Sequence, residues 1–270
     1  MTAIAPSAPA RGGAFKFPGL RKLEQSLLVY RRVWRGTFFG TLVSPVLFLT
    51  AMGVALGSLV PNITAFGGVP YLVFLAPGIM SAQAMQTGTV EGSWPLFAGF
   101  KWLKTFDAMI ATPITVRDIV LGHLYWLFVR LAIVTGVFMV VAFLFGAFRS
   151  PTFFLAWPSA ILTGVAFGIC MSAWTATRKT EQSFSIIFRF VVTPLFLFSG
   201  TFFPIEQLPE TVRWIAWFTP LFHGVALTRS LAIGQNVDLL TLGIHLAVVL
   251  GMIAIGTFFA FRTFRKRLVI

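Results

Sequence analysis

Three histidines, one cysteine and eight acidic residues are all that this 270-residue chain offers for building a metal site or activating a nucleophile. His123, His223 and His245 fall in three separate apolar segments without a carboxylate at ligand spacing, and Cys170 stands alone. Neither metal coordination nor nucleophilic catalysis has a constellation to rest on, and one cysteine excludes an internal disulfide framework. Single histidines near the ends of apolar runs read as hydrogen-bonded interface residues. The sequence contains no G-x-x-x-x-G-K-[ST] phosphate loop, and no H-E-x-x-H, C-x-x-C or G-x-S-x-G. A membrane-embedded enzyme therefore lacks its paired groups.

The remaining candidates for chemistry are charges inside long apolar runs: Glu91, Arg130 and Arg189. A charge at such depth costs about 2.5–3.5 kcal/mol on insertion scales, so it should face protein or water and often has a partner. At about 1.5 Å per residue, Glu91 lies roughly 15 Å and Arg130 roughly 20 Å from the cytoplasmic ends of their segments. A Glu91–Arg130 pair between adjacent helices is open to them, either as a packing ion pair or as a contact to a transported compound. Arg189, roughly 9 Å deep by the same rise, can snorkel to the headgroups.

The elements that would position these residues follow from composition. The chain is 57% hydrophobic and only 11% charged, where soluble domains spend about a quarter of their residues on charge. With a mean hydropathy of +0.87, lipid is its main solvent. Six windows are long enough to cross a bilayer: Thr37 to Leu59, Tyr71 to Phe97, Ile119 to Phe145, Phe153 to Ala176, Phe184 to Phe203, and Leu239 to Phe261. None alternates as a barrel strand would, so all are expected to be helices. A seventh window, Trp214 to Ile233, contains Pro220, His223, Gly224 and Arg229. Six spans with both termini cytoplasmic put 16 of the 21 basic residues on one side, whereas a seventh would send Arg262, Arg265, Lys266 and Arg267 outward. The formal charge of +13 is thus mainly a topology signal, with attraction to anionic lipid as a by-product, and nucleic acid is not needed to explain it.

Three stretches outside the spans carry structure of their own. In residues 1–36, Leu20, Leu23, Leu27, Leu28 and Val33 recur at near-helical spacing opposite Arg21, Lys22, Arg31 and Arg32, which reads as an amphipathic interfacial helix or, failing that, a disordered basic tail. No cleaved leader is expected. In the run from Lys101 to Arg117, Trp102, Phe106 and Met109 fall on one face of a short helix with Lys101 and Lys104 beside it, Pro113 closes that helix, and Thr115 with Asp118 has capping-box spacing. Such a helix suits docking to a soluble partner or lying on the headgroups; under the first reading, Phe106→Asp detaches the partner without preventing insertion. Between Pro204 and Asp238, Pro204, Pro209 and Pro220 break the chain, Glu206, Glu210 and Arg213 charge the first piece, and Trp214, Trp217, Phe218 and Phe222 supply an interfacial aromatic face. Two short helices dipping into the outer leaflet and returning fit this pattern, as does a plain interfacial hairpin. Glycines spaced four apart, Gly53 and Gly57, Gly88 and Gly92, Gly164 and Gly168, predict close helix packing without naming the partner.

Three segments taken in order, KTFDAMIATPITVRDIVLGHLYW, FLFSGTFFPIEQLP and WIAWFTPLFHGVALTRSLAIG, resemble the linked motifs of the type-2 ATP-binding-cassette exporter permeases, in particular the nodulation-factor and daunorubicin-exporter branches. The resemblance covers roughly Phe38 to Arg262. It implies six transmembrane helices with cytoplasmic termini, an N-terminal interfacial helix, and re-entrant helices between spans five and six. By the same resemblance, Lys101 to Ala111 becomes a coupling helix to an ATPase, carried by Lys101, Trp102, Lys104, Phe106 and Met109. Ile205 to Gly234, entered through Pro204 and including Glu206, Trp214, Trp217, Pro220, His223 and Arg229, becomes the re-entrant pair.

The expected fold is therefore all-α and integral to the membrane. Residues 1–36 form a cytoplasmic tail with an interfacial helix, residues 37–261 the six-helix permease domain, and residues 262–270 a basic tail. The resemblance implies two cytoplasmic ATPase subunits, which would hold the ATP and magnesium, and a second permease that is either an identical copy or a paralogue. This chain would bind no cofactor and catalyse no reaction itself. It would sit in the bacterial inner membrane, exporting an amphipathic drug, lipid or lipid-linked glycan. An ion-coupled secondary transporter is the alternative; it would need no ATPase, and it would usually show internal repeats and ion-binding helix breaks near mid-membrane.

Overall fold

The computed structural model describes residues 19–57, 66, 68–148, 150–207, 209–234 and 238–269. The Ala/Pro/Gly-rich residues 1–15 lie outside them. Among the described residues all regular structure is helical.

Helix α1, Gly19–Phe48, continues through a π-helical turn, Leu49–Leu56. The predicted interfacial helix and first span are thus one continuous rod, with no break at residue 36. The sequence from Arg35 to Thr41 contains no proline to stop the helix, and the hydroxyls of Thr37 and Thr41 are satisfied within it, donating to the carbonyls four residues earlier at 3.1 and 2.8 Å. Pro45 lies inside the helix, one turn before the π-helical stretch.

Helix α2, Tyr71–Glu91, stops at Gly92, short of the Phe97 end expected for the second span. Ser93 leaves helical geometry, and Pro95 starts a separate helix, α3, Trp94–Lys101. Lys104 then adopts the left-handed conformation, φ +47°, before α4, Thr105–Ile110. The expected helix from Lys101 to Ala111 is accordingly two helices joined by an elbow at Trp102–Lys104. Helix α5, Val116–Leu144, begins with the anticipated capping box: Asp118 N donates to Thr115 Oγ1 at 3.3 Å, and Thr115 N donates to Asp118 Oδ2 at 2.9 Å.

Helix α6 is Phe153–Thr175. The fifth apolar segment is helical from Gln182 to Ile187 (α7) and Thr193 to Phe198 (α8), with a π-turn over Phe188–Val192 between them. A single 3₁₀ turn, Ile205–Gln207, leads to α9, Glu210–Phe218, and α10, Pro220–Ile233. Pro220 and the Thr219 N-cap separate these two, and Gly234 at φ +69° ends α10. Helix α11, Leu239–Leu268, starts at the Asp238 cap and runs through most of the expected C-terminal tail. Backbone N–H groups of Leu240 and Thr241 and the Thr241 hydroxyl all donate to the exposed Asp238 carboxylate and hold it below the usual carboxylate range.

Among the described residues, four helices are long and apolar enough to cross a membrane: Gly19–Ala55, Val116–Leu144, Phe153–Thr175 and Leu239–Leu268; Gln182–Phe198 is shorter. Helix α2 is long enough at 21 residues, but Ser81, Gln83, Gln86, Thr87 and Thr89 dilute it. Helix α6 is the hub, packing against α2, α5, α10 and α11, while α1 lies along α5. The approach of α6 to α2 needs glycine on both sides. A Cβ on Gly92 would lie 2.5 Å from the Gly168 carbonyl, and one on Gly164 would lie 2.7 Å from the Ala84 carbonyl. The pairs Gly88/Gly92 and Gly164/Gly168 thus meet each other. Large apolar side chains on the outer faces of α1 and α11, among them Phe39, Leu47 and Phe258, remain exposed, which carries no penalty when the surroundings are hydrocarbon.

Candidate functional site

At one end of the bundle the elbow between α3 and α4 is braced from three directions. Phe106 is 2% exposed and sits 4.6 Å, ring to ring, from Phe100 on α3 and 6.3 Å from Phe264 on α11. Arg267 at the end of α11 lies over the Phe100 ring at 4.6 Å and donates to the carbonyls of Thr175, Ala176 and Arg178, at 3.3, 3.1 and 2.6 Å. These carbonyls lie at and just past the C-terminal end of α6, and that of Thr175 also accepts from Arg178 N at 3.0 Å. Lys101 Nζ donates to the Lys179 carbonyl at 3.1 Å. Ring contacts and charged hydrogen bonds thus join the elbow to the end of α6 and to α11.

The residues expected along one face of this segment divide differently. Lys101, Trp102 and Lys104 are exposed, Met109 is half-buried, and Phe106 is in the core. The break at Lys104 resets the helical register, so Trp102 and Phe106 do not share a face. Phe106→Asp would disrupt packing, so it is no clean probe of docking. The outward apolar surface is Trp102 and Leu103, 55% and 69% exposed; Leu103 lies off the assumed helix face, so spacing alone does not single it out.

Next to the elbow, Glu91 at the end of α2 receives two donors from α5. Arg130 Nε reaches Oε1 at 3.0 Å and Trp126 Nε1 reaches Oε2 at 2.9 Å. The pair is mostly enclosed, with Arg130 and Glu91 side chains 10% and 16% exposed. Tyr30 of α1 faces the Arg130 guanidinium at 5.0 Å and Trp126 at 5.8 Å. Trp126 and Arg130 lie one helical turn apart on α5, a spacing visible in the sequence, whereas the closure by Tyr30 depends on how α1 docks. Arg189 is exposed on the π-turn of the fifth segment.

At the other end of α6, Pro204 precedes the 3₁₀ turn and Glu206 is exposed within it. Trp214 and Trp217 project from α9, 69% and 50% exposed. Arg229 of α10 is half-buried and ties three segments together, donating to the carbonyls of Phe74 at 3.1 Å, Gly200 at 2.7 Å and Thr201 at 3.3 Å, with its guanidinium 3.8 Å from the Phe74 ring. The histidines are not isolated. His223 and His245 meet through their Nδ1 atoms at 2.8 Å, and His223 Nε2 lies 3.1 Å from the Trp217 carbonyl. His123 is buried and paired with Ser172 at 2.9 Å, so it is no interface residue. The His223–His245 contact spans 22 positions of chain, beyond the reach of any spacing argument.

The serine–histidine pair, Ser172 with His123, is buried in the core, and Ser172 Oγ gives its proton to the Gly168 carbonyl at 2.6 Å. One end of the helical bundle carries the braced elbow, and the other carries two short helices, α9 and α10, the second tied by Arg229 to the carbonyls of Phe74, Gly200 and Thr201. Residues 23–233 match the ABC-2 type transporter family. Nodulation protein J of Rhizobium leguminosarum bv. viciae is 30% identical over 246 residues, covering 91% of this chain and 93% of that protein. Nodulation protein J of Rhizobium meliloti (strain 1021) is 29% identical over 246 residues, 91% and 92% of the two chains. The inner membrane transport permease YadH of Escherichia coli (strain K12) is 23% identical over 208 residues, 77% and 79% of the two. With the match spanning most of the bundle, the chain belongs to the ABC-2 type transporter family, as a multi-pass membrane permease of the ABC transporter class.

Proposed function

We propose that this chain is the permease subunit of an exporter that moves an amphipathic compound, a drug, lipid or lipid-linked glycan, outward across the inner membrane. A partner ATPase supplies the energy, and two permeases, identical or paralogous, frame the path. The six spans include α2 and the Gln182–Phe198 segment, both termini are cytoplasmic, and α9 with α10 is the re-entrant hairpin. The observation that carries this reading is the elbow: an exposed Trp102–Leu103 pair mounted on a buried Phe100–Phe106–Phe264 cluster. An apolar surface knob is suited to a soluble partner, and the rigid base beneath it converts the partner's closure on ATP into a shift of α6 and α11. The Nodulation protein J relatives point to an amphiphile as cargo through the resemblance to nodulation-factor exporters. The ion-coupled alternative loses its buried carboxylate, since both Glu91 oxygens are engaged by Arg130 and Trp126.

The test is affinity purification of the tagged full-length chain from host membranes, followed by ATPase and vesicle transport assays. Wild type should retain an ATP-binding subunit, and Trp102→Asp with Leu103→Asp should release it while the permease still inserts and elutes as a folded species. Transport driven by an ion gradient in the purified chain alone would overturn the reading.

A further inference from the structure

A cleft of about 360 Å³ is lined by residues of α1, α5, α3 and α4, within the range of about 300–1,000 Å³ usual for small-molecule sites. Three charged side chains line it: Lys22, Glu91 and Arg130. Their sum is one positive charge. Glu91 is already occupied by two donors, whereas both cations retain unused capacity. Lys22 Nζ gives two of its three hydrogens to Gln25 Oε1 at 3.0 Å and Ser26 Oγ at 3.1 Å. Arg130, 9% exposed, has a buried Nη1 with no hydrogen-bond partner. A buried guanidinium nitrogen left in this condition is costly, and a ligand oxygen would satisfy it. The wall supplied by α1 is amphipathic: Val29 and Val33, 58% and 54% exposed, flank the cleft beside Tyr30.

We propose that this cleft binds the phosphodiester headgroup of an anionic phospholipid, with Arg130 and Lys22 as its donors and the Val29–Val33 face of α1 guiding an acyl chain. One phosphodiester carries one negative charge and brings the cleft to neutrality; a zwitterionic headgroup adds a cation back and leaves the surplus uncompensated. The Tyr30 ring of α1 lies 5.0 Å from the guanidinium and Nη1 is buried, so side chains around it must shift for an oxygen to reach it, and Tyr30 links occupancy to the position of α1. Because α1 and Phe106 of the elbow both line the cleft, a bound lipid braces α1 against the elbow. The site stands whatever compound the protein moves.

Native mass spectrometry of the purified full-length permease, titrated with phosphatidylglycerol, phosphatidylcholine or glycerol 3-phosphate, tests this. Phosphatidylglycerol should bind in preference to phosphatidylcholine. Lys22→Gln, at a half-buried position, should weaken it about tenfold, the loss of one charged hydrogen bond. The paired substitution Glu91→Gln with Arg130→Gln, which leaves no unbalanced charge, should do the same. Equal binding of the two lipids, or wild-type affinity in both variants, overturns the proposal. Displacement of phosphatidylglycerol by an equal concentration of glycerol 3-phosphate would assign the site to soluble phosphate esters and overturn the lipid assignment.

Discussion

Replacing Glu91 with Gln changes one atom and should cost more than any surface substitution in the chain. Glu91 offers one oxygen to Arg130 Nε and the other to Trp126 Nε1, at 3.0 and 2.9 Å. A glutamine has a single acceptor oxygen, so one of these donors must face an amide N–H. The Arg130 charge also loses its counterion in a site where the two side chains are only 10% and 16% exposed. Breaking one side of a buried pair costs about 3–5 kcal/mol; the residual exposure of Glu91 favours the lower end. At about 2–4 °C per kcal/mol for a chain of this size, a loss of about 3 kcal/mol lowers the melting temperature by roughly 6–12 °C. The paired Glu91→Gln, Arg130→Gln variant isolates the cause. In it, the amide oxygen that replaces the Glu91 carboxylate can take the Trp126 donor, the amide N–H can donate to the second introduced glutamine, and no charge remains. At least half the loss should return. Melting followed by size-exclusion chromatography in one detergent reads both. A single variant that melts with wild type, or a paired variant no better than the single one, refutes the reasoning.

Gly88→Ala drives a Cβ into the Gly164 backbone, which cannot move aside as a side chain would, and should cost about 1–3 kcal/mol in the same melt. Gly40→Ala, with nothing within 4 Å of the added atom, is the matched control and should be neutral or gain up to about 1 kcal/mol of helix propensity. Arg229→Lys keeps the charge but cannot span the Phe74, Gly200 and Thr201 carbonyls that the guanidinium reaches. Faster hydrogen exchange confined to α10 and the 199–204 turn is the expected result, and unchanged protection there would remove Arg229 as the pin.

Periodicity and spacing identify what each segment is, but they cannot say which faces meet. The Thr115–Asp118 cap is legible because both partners lie within one turn. The four-residue glycine spacing announces close packing, yet the pairing of Gly88/Gly92 with Gly164/Gly168 depends on the mutual register of α2 and α6, which no single segment encodes. Glu91 and Arg130 do meet, but the expected depth of Glu91 is counted along an unbroken span, whereas α2 ends at Glu91 itself. No measure of depth or spacing joins His223 to His245 across a hairpin and its return.

The elbow departs from its expected form for a different reason, and that reason bears on function. The face formed by Trp102, Phe106 and Met109 assumes an uninterrupted helix, and Lys104, a residue with no special liking for positive φ, breaks it. Holding a lysine there costs energy that the Phe100–Phe106–Phe264 cluster must offset by seating Phe106 inward. The same reversal leaves Trp102 and Leu103 mostly exposed, with the Trp102 ring edge-on to buried Phe97 at 5.6 Å. A straight helix would have spread one apolar stripe along a surface; the strained turn divides it into a buried anchor and an exposed knob. That division leaves the Trp102–Leu103 pair standing on a packed aromatic cluster that reaches α11, the arrangement that the proposed coupling to a partner ATPase requires.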